Sequence, residues 1–108
     1  MTEETWWDHF DEDPFEKVGR IVTGPFGEDL TIQMSRINWA YLDWLEADQK
    51  GNIAKYLVDA ELKRRPEDGC RHRWMEDCVR TTYLWREKNG LPRPGWCGAA
   101  HPAEFVDI

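Results

Sequence analysis

The chain has 108 residues and a formal net charge of −7, and 41% of its residues are hydrophobic. This length corresponds to one small domain with extensions. No apolar run is long enough to span a membrane and the first residues are acidic, so we expect neither a membrane segment nor a secretory signal, and a cytoplasmic location.

The negative charge is concentrated in an N-terminal arm, residues 1–16. Seven of the 21 acidic residues lie there and none of the 14 basic ones, so the rest of the chain is neutral overall. Large aromatic residues alternate with these acids, and exposed aromatic surface normally docks on something. We therefore expect the arm to bind a basic protein surface, with carboxylates steering the encounter and aromatic rings anchoring it. The candidate contact residues are Trp6, Trp7, Asp8, Phe10, Asp11 and Asp13.

Two short strands are predicted ahead of the first helix. Residues 30–34 alternate between apolar and polar side chains, which is the pattern of a half-buried strand. Residues 18–23 form a second strand-like stretch, and Gly24-Pro25-Phe26-Gly27 between the two favours a turn. The stretches can pair as an intramolecular hairpin over residues 18–34, which gives an α+β fold. Alternatively, residues 30–34 pair with the same strand of a second chain.

Three helices are expected to follow. Apolar residues recur at helical spacing over residues 36–47, 53–64 and 71–88. Ser35 is the expected N-cap of the first helix, and Asn89-Gly90 is a stop signal for the third. The predicted organisation is an arm (1–16), a core (17–66) and a C-terminal helix with an irregular tail (67–108).

Residues that could carry chemistry are few. Cys70-x-His72 and Cys97-x₃-His101 supply four ligands of the types that zinc prefers, but the Cys-x-His spacing is tight and a whole helix separates the pairs. The three cysteines, an odd number, favour reduced thiols over a disulfide framework. The chain has no Gly-x-Ser-x-Gly elbow and no phosphate-binding glycine loop. We expect no metal, no cofactor and no enzymatic activity.

The order of strand 30–34, a serine cap, helix 36–47, a short turn and helix 53–64 resembles the ribbon-helix-helix family of phage, plasmid and bacterial DNA-binding repressors. The resemblance covers residues 30–65. It implies a mainly α fold in which one short strand pairs between two chains, here with a third, C-terminal helix added. It also implies a homodimeric transcriptional regulator, often an autoregulator, whose two-stranded ribbon reads the major groove of double-stranded DNA.

The same resemblance implies roles for individual residues. The polar face of the ribbon would contact base edges through Thr31, Gln33 and Ser35. The start of the second helix would bind a DNA phosphate through Lys50, Gly51, Asn52, Ile53 and Lys55. The core shared by the two chains would contain Ile32, Met34, Leu42, Leu45, Leu57 and Val58.

A function of another class fits the acidic arm. Small, acidic, Trp-rich chains resemble phage counter-defence proteins, including anti-CRISPR proteins. This resemblance implies an inhibitor or adaptor that binds a basic, nucleic-acid-handling protein. The neutral core favours this alternative, since Lys and Arg side chains supply most of the affinity for DNA phosphates. The ribbon pattern favours the DNA-binding regulator, and the sequence leaves both open.

Overall fold

A computed structural model describes residues 12–94, which form a two-stranded antiparallel sheet and three α-helices. In chain order these are β1 (Lys17–Thr23), β2 (Asp29–Ser35), α1 (Arg36–Asp48), α2 (Ile53–Lys63), a 3₁₀ turn (Pro66–Asp68) and α3 (Arg71–Lys88). Several predicted site residues lie outside the described range: Trp6, Trp7, Asp8, Phe10, Asp11, Cys97 and His101.

The two strands pair with each other, with Lys17 opposite Ser35 and Thr23 opposite Asp29. The α+β alternative with an intramolecular hairpin is therefore confirmed, and the predicted mainly α fold with a single strand was wrong. The physical reason is the short turn between the strands. Closing a loop of this length costs far less chain entropy than recruiting a strand from a second molecule.

All three helices lie where the sequence predicts them, with ends that differ by at most one residue. Asn52 caps α2, because its Oδ1 atom accepts the backbone N–H of Lys55 at 3.0 Å. At the end of α1 the chain passes through Lys50 at a φ of 57°, and the N–H of Gly51 donates to the Leu45 carbonyl at 2.9 Å. A Cβ atom at Gly51 would lie 3.1 Å from that carbonyl oxygen, so this close approach favours glycine.

The prediction that the Ser35 side chain makes a capping hydrogen bond was wrong, whereas its predicted position at the start of α1 was right. Ser35 occupies the cap position of α1, but its side chain makes no capping hydrogen bond. The first N–H groups of the helix are satisfied instead by the segment before β1. Arg36 N–H donates to the Glu16 carbonyl and Ile37 N–H to the Pro14 carbonyl, both at 2.9 Å. A cap from another part of the backbone leaves the serine hydroxyl free for other contacts.

The hydrophobic core lies between one face of the hairpin and the three helices. Strand β2 and the three helices supply the buried side chains, and β1 adds the partly buried Val18 and Val22. The buried side chains are Ile32, Met34, Ile37, Trp39, Tyr41, Leu42, Leu57, Ala60, Met75, Val79 and Tyr83. Four residues of the predicted dimer core, namely Ile32, Met34, Leu42 and Leu57, are therefore buried within a single chain. Leu45 and Val58 are partly buried.

Candidate binding surface on the hairpin

The outer face of the hairpin, opposite the core, is open. Thr31 and Gln33 project from β2 on this face and are exposed, as the alternation predicts. Ile21 lies directly opposite Thr31 on β1, and 72% of its surface is exposed. Gly19 lies opposite Gln33 and contributes no side chain, so the face is flat beside Ile21. Ile21 is not among the predicted site residues. The strand from Val18 to Val22 has apolar residues on both faces, so its sequence does not show which face is exposed.

A second exposed apolar side chain lies at the tip of the hairpin. Phe26 is 87% exposed, the highest value among the large hydrophobic residues that the structure describes. The loop that carries it contains three hydrogen bonds, one of which runs from Gly27 N–H to the Gly24 carbonyl at 3.1 Å. Gly24 N–H donates to the Glu28 carbonyl at 2.7 Å, and Phe26 N–H donates to the Glu28 carboxylate at 3.0 Å. The position of Phe26 between Pro25 and Gly27 could have indicated its exposure, since the tips of turns normally face solvent. We call Ile21, Phe26, Thr31 and Gln33 the hairpin surface.

Helix α3 covers the end of the free edge of β2, at Gln33 and Ser35. The backbone N–H of Gln33 donates to His72 Nδ1 at 3.0 Å, and the N–H of Ser35 donates to the Glu76 carboxylate at 2.9 Å. Glu76 is 4% exposed and also lies 2.6 Å from Lys17 Nζ. These contacts occupy two of the outward donors of β2, whereas the N–H group of Thr31 has no acceptor among the described residues.

Ser35 does not reach the outer surface. Its residue exposure is 0%, and its hydroxyl lies 3.4 Å from Lys17 Nζ and 3.5 Å from Glu76. The prediction that Ser35 contacts base edges was therefore wrong. The strand alternation holds, but α3 covers the last position of β2. Of the three predicted base-reading residues, Thr31 and Gln33 remain accessible.

The free edge of β1 has the opposite character. The N–H groups of Gln33 and Ser35 point away from β1. In an antiparallel pair the N–H groups of the residues opposite them, Gly19 and Lys17, therefore point away from β2. The same alternation turns the N–H groups of Ile21 and Thr23 outward. No described residue accepts a hydrogen bond from these four N–H groups, and all four residues are exposed.

The predicted phosphate site at the start of α2 has three of its backbone donors engaged within the chain. Ile53 N–H donates to the Glu46 carboxylate at 2.9 Å, so a side chain of the same protein already holds the place of an anion. The N–H groups of Gly51 and Lys55 donate to Leu45 and Asn52 as described above. Lys50 and Lys55 are exposed and form no ion pair with a described residue. Three backbone donors of the predicted site are thus engaged within the chain, whereas the N–H group of Asn52 has no acceptor among the described residues.

The basic side chains around the hairpin are neutralised within the chain. Arg20 donates two hydrogen bonds of 2.9 Å to the carboxylate of Asp43, and its guanidinium lies 4.6 Å from the centre of the Trp39 ring. The hydrogen bond from Arg20 to Asp43 raises the pKa of that guanidinium. Arg36 lies 2.6 Å from Glu16. This part of the surface offers few free cations to a phosphate backbone.

Two cysteines lie in the described range, and both are free. Cys70 is exposed before α3, where backbone N–H groups of Arg73 and His72 lower the pKa of its thiol. His72 uses Nδ1 to accept the Gln33 N–H, which leaves one ring nitrogen for any metal. Among residues 12–94, no group of three or more His, Cys, Asp and Glu side chains could hold a metal ion. The other two predicted zinc ligands, Cys97 and His101, lie outside this range.

A groove of about 400 Å³ lies between α2 and α3, away from the hairpin. Its walls are tied together by hydrogen bonds from Trp74 Nε1 to the Ala60 carbonyl and between the Tyr56 and Thr82 hydroxyls, each of 2.8 Å. Burial raises the pKa of the Cys78 thiol in this groove to about 11, so the thiol is not a ready nucleophile.

Comparisons with protein-family models, with curated proteins and with solved structures gave no match. None of the helices in the described part of the chain is long and apolar enough to cross a membrane.

Proposed function

We propose that the protein is an inhibitor or adaptor that binds another protein through the hairpin surface. The observation that carries this proposal is the exposure of Ile21 and Phe26 on one small, well-supported element. Isolated exposed apolar residues are ordinary, but here they share a rigid hairpin whose other face is anchored in the core. An apolar anchor beside small polar groups is the composition of a protein-binding patch.

Charge supports a protein partner over DNA. The cations beside the hairpin, Arg20, Arg36 and Lys17, are each paired with a carboxylate of the same chain. A nucleic-acid surface needs such charges free, because neutralising phosphates supplies most of the non-specific affinity. The acidic residues at the N-terminus suit a partner that carries a basic surface, which the arm would approach while the hairpin makes the apolar contact.

Site-specific cross-linking in cells tests the proposal. Phe26 is replaced by a photo-reactive phenylalanine analogue, and the matched control places the same analogue at Leu62, which is 60% exposed on α2. We expect cross-linked products with one discrete protein from position 26 and none from position 62. Adding Ile21→Asp to the position-26 variant should remove the product. Equal labelling from both positions, or a product indifferent to Ile21→Asp, would contradict the proposal.

A DNA-binding function is the second candidate, favoured by the exposure of Thr31 and Gln33 on a two-stranded ribbon. A ribbon of this kind fits the major groove, and both side chains can pair with base edges. A mobility shift on the DNA upstream of the gene tests it, with Gln33→Ala as the probe and Thr81→Ala on α3 as the control. Specific binding that Gln33→Ala abolishes would favour the regulator over the inhibitor.

A further inference from the structure

We propose that two copies of this chain associate through the outer edges of β1, which joins their hairpins into one four-stranded antiparallel sheet. This inference goes beyond the proposed function, because it concerns the backbone edge of β1 and a second copy of the chain.

The two edges of the hairpin differ in a way that points to β1. At the edge of β2, His72 and Glu76 accept the N–H groups of Gln33 and Ser35, next to α3, whereas the whole edge of β1 presents the N–H groups of Gly19, Ile21 and Thr23 without an acceptor among residues 12–94. Five of the seven β1 residues are exposed, so no described element covers this edge. An open row of backbone donors and acceptors is a template for strand addition.

The usual devices that block edge pairing are weak here. β1 contains no proline, and its two charged residues are neutralised, Lys17 by Glu76 and Arg20 by Asp43. The formal net charge of −7 comes from residues 1–16, whereas residues 17–108, which include β1, hold equal numbers of acidic and basic side chains. The edge is therefore charge-compatible with a second copy of itself.

Three antiparallel registers bring outward-pointing residues of two β1 strands together, with Gly19, Arg20 or Ile21 on the two-fold axis. An axis at Arg20 places two arginines directly opposite each other, which is unfavourable. An axis at Gly19 leaves Ile21 facing Lys17 of the second copy. An axis at Ile21 aligns four β-branched side chains across the sheet, in the order Thr31, Ile21, Ile21, Thr31. Cross-strand pairs of this type are favourable, so we infer the register with Ile21 on the axis.

This register also gives the outward backbone N–H and C=O groups of β1 hydrogen-bond partners. Ile21 pairs with Ile21 of the second copy, and Gly19 pairs with Thr23 of the second copy in both directions. Each such pair exchanges two N–H···O=C hydrogen bonds. On the core side, Val22 of the second copy comes beside Arg20. There a depression of about 110 Å³ is lined by Val18, Arg20, Arg36, Trp39, Ala40 and Asp43.

A charge-swap experiment on the purified chain tests both the interface and the register. Light scattering over a concentration series up to about 1 mM should give the wild type a mass approaching twice 12.8 kDa. Ile21→Lys alone and Ile21→Glu alone each place like charges on the axis and should weaken the dimer at least about tenfold. Their equimolar mixture should restore it, since Lys then faces Glu. Thr31→Lys, on the same face but one strand from the axis, is the control and should leave the dimer intact.

Amide hydrogen exchange keeps the proposal testable if a variant does not fold. In the wild type, the N–H groups of Gly19, Ile21 and Thr23 should be protected, with protection that grows with concentration. Thr31 N–H, which has no acceptor among the described residues, is the unprotected reference. A wild type that stays monomeric, a dimer that persists in both single variants, or unprotected β1 amides would overturn the inference. The cross-linking from position 26, with Ile21 unchanged, reports on a different protein and does not depend on these outcomes.

Discussion

Glu76→Ala should destabilise the fold by about 2–4 kcal/mol, because Glu76 is a buried carboxylate that accepts a hydrogen bond from a buried backbone N–H. Ser35 is fully buried, so losing the carboxylate leaves its N–H without a partner at a cost of about 1–3 kcal/mol. The ion pair with Lys17 contributes at most about 1 kcal/mol, because the Lys17 side chain is 51% exposed. Lost packing of the buried side chain adds the remainder.

The matched variants separate these contributions. Glu76→Gln retains an acceptor oxygen for Ser35 N–H and should cost about 1 kcal/mol, and Lys17→Met should cost less than about 1 kcal/mol. Urea unfolding followed by the fluorescence of the seven tryptophans measures all three, with equal m-values as the check that the unfolded states match. If Glu76→Gln were as damaging as Glu76→Ala, charge rather than the acceptor for the strand edge would be the stabilising element, and the reasoning would fail.

Three further predictions concern single sites. Asn52→Ala should cost about 1 kcal/mol in the same urea assay, because it removes the cap of α2. Burial alone would raise the pKa of Glu61, but hydrogen bonds from Arg64 and Arg71 hold it below the usual value of a glutamate. The ionised Glu61 therefore stabilises the fold above the pKa of an ordinary glutamate, and this stabilisation is lost as the pH falls through the lowered pKa, so Glu61→Gln should flatten the acid side of a stability–pH curve. Iodoacetamide should alkylate Cys70 at least about 100-fold faster than Cys78, as peptide mass mapping would show.

The helices could be predicted from the sequence because their signals are local. Apolar spacing, the Asn52 cap and the Asn89-Gly90 stop each act within a few residues, and the structure has helices at those bounds. The hairpin was among the predicted alternatives for the same reason, since its turn lies between adjacent strands. What the sequence left open was the choice between one chain and two. That choice depends on loop entropy and on which edge becomes covered, and neither is visible in an alternating pattern.

The candidate site was only half predictable. Thr31 and Gln33 follow from alternation alone, and both are exposed. The burial of Ser35 depends on Glu76, which lies 41 residues further along the chain, so no local pattern shows it. At the start of α2, the N–H group of Ile53 likewise donates to the carboxylate of Glu46, which lies seven residues earlier on α1. In both cases a backbone N–H group, which the local sequence suggested would be free, donates a hydrogen bond to a carboxylate from elsewhere in the chain.

The dimer inferred at β1 is incompatible with DNA binding by the hairpin, because its four-stranded sheet is too wide for the major groove. A two-stranded ribbon fits a major groove about 12 Å wide, and strands lie nearly 5 Å apart, so a four-stranded sheet presents its flat face at roughly twice the width of the ribbon. In the inferred dimer, the two copies of Thr31 flank a central pair of Ile21 side chains, and this face is too broad and too apolar at its centre for a groove. A broad face with an apolar centre and a polar rim is instead suited to a protein surface. A wild-type dimer that Ile21→Lys dissociates would therefore favour the inhibitor or adaptor, before any partner is known.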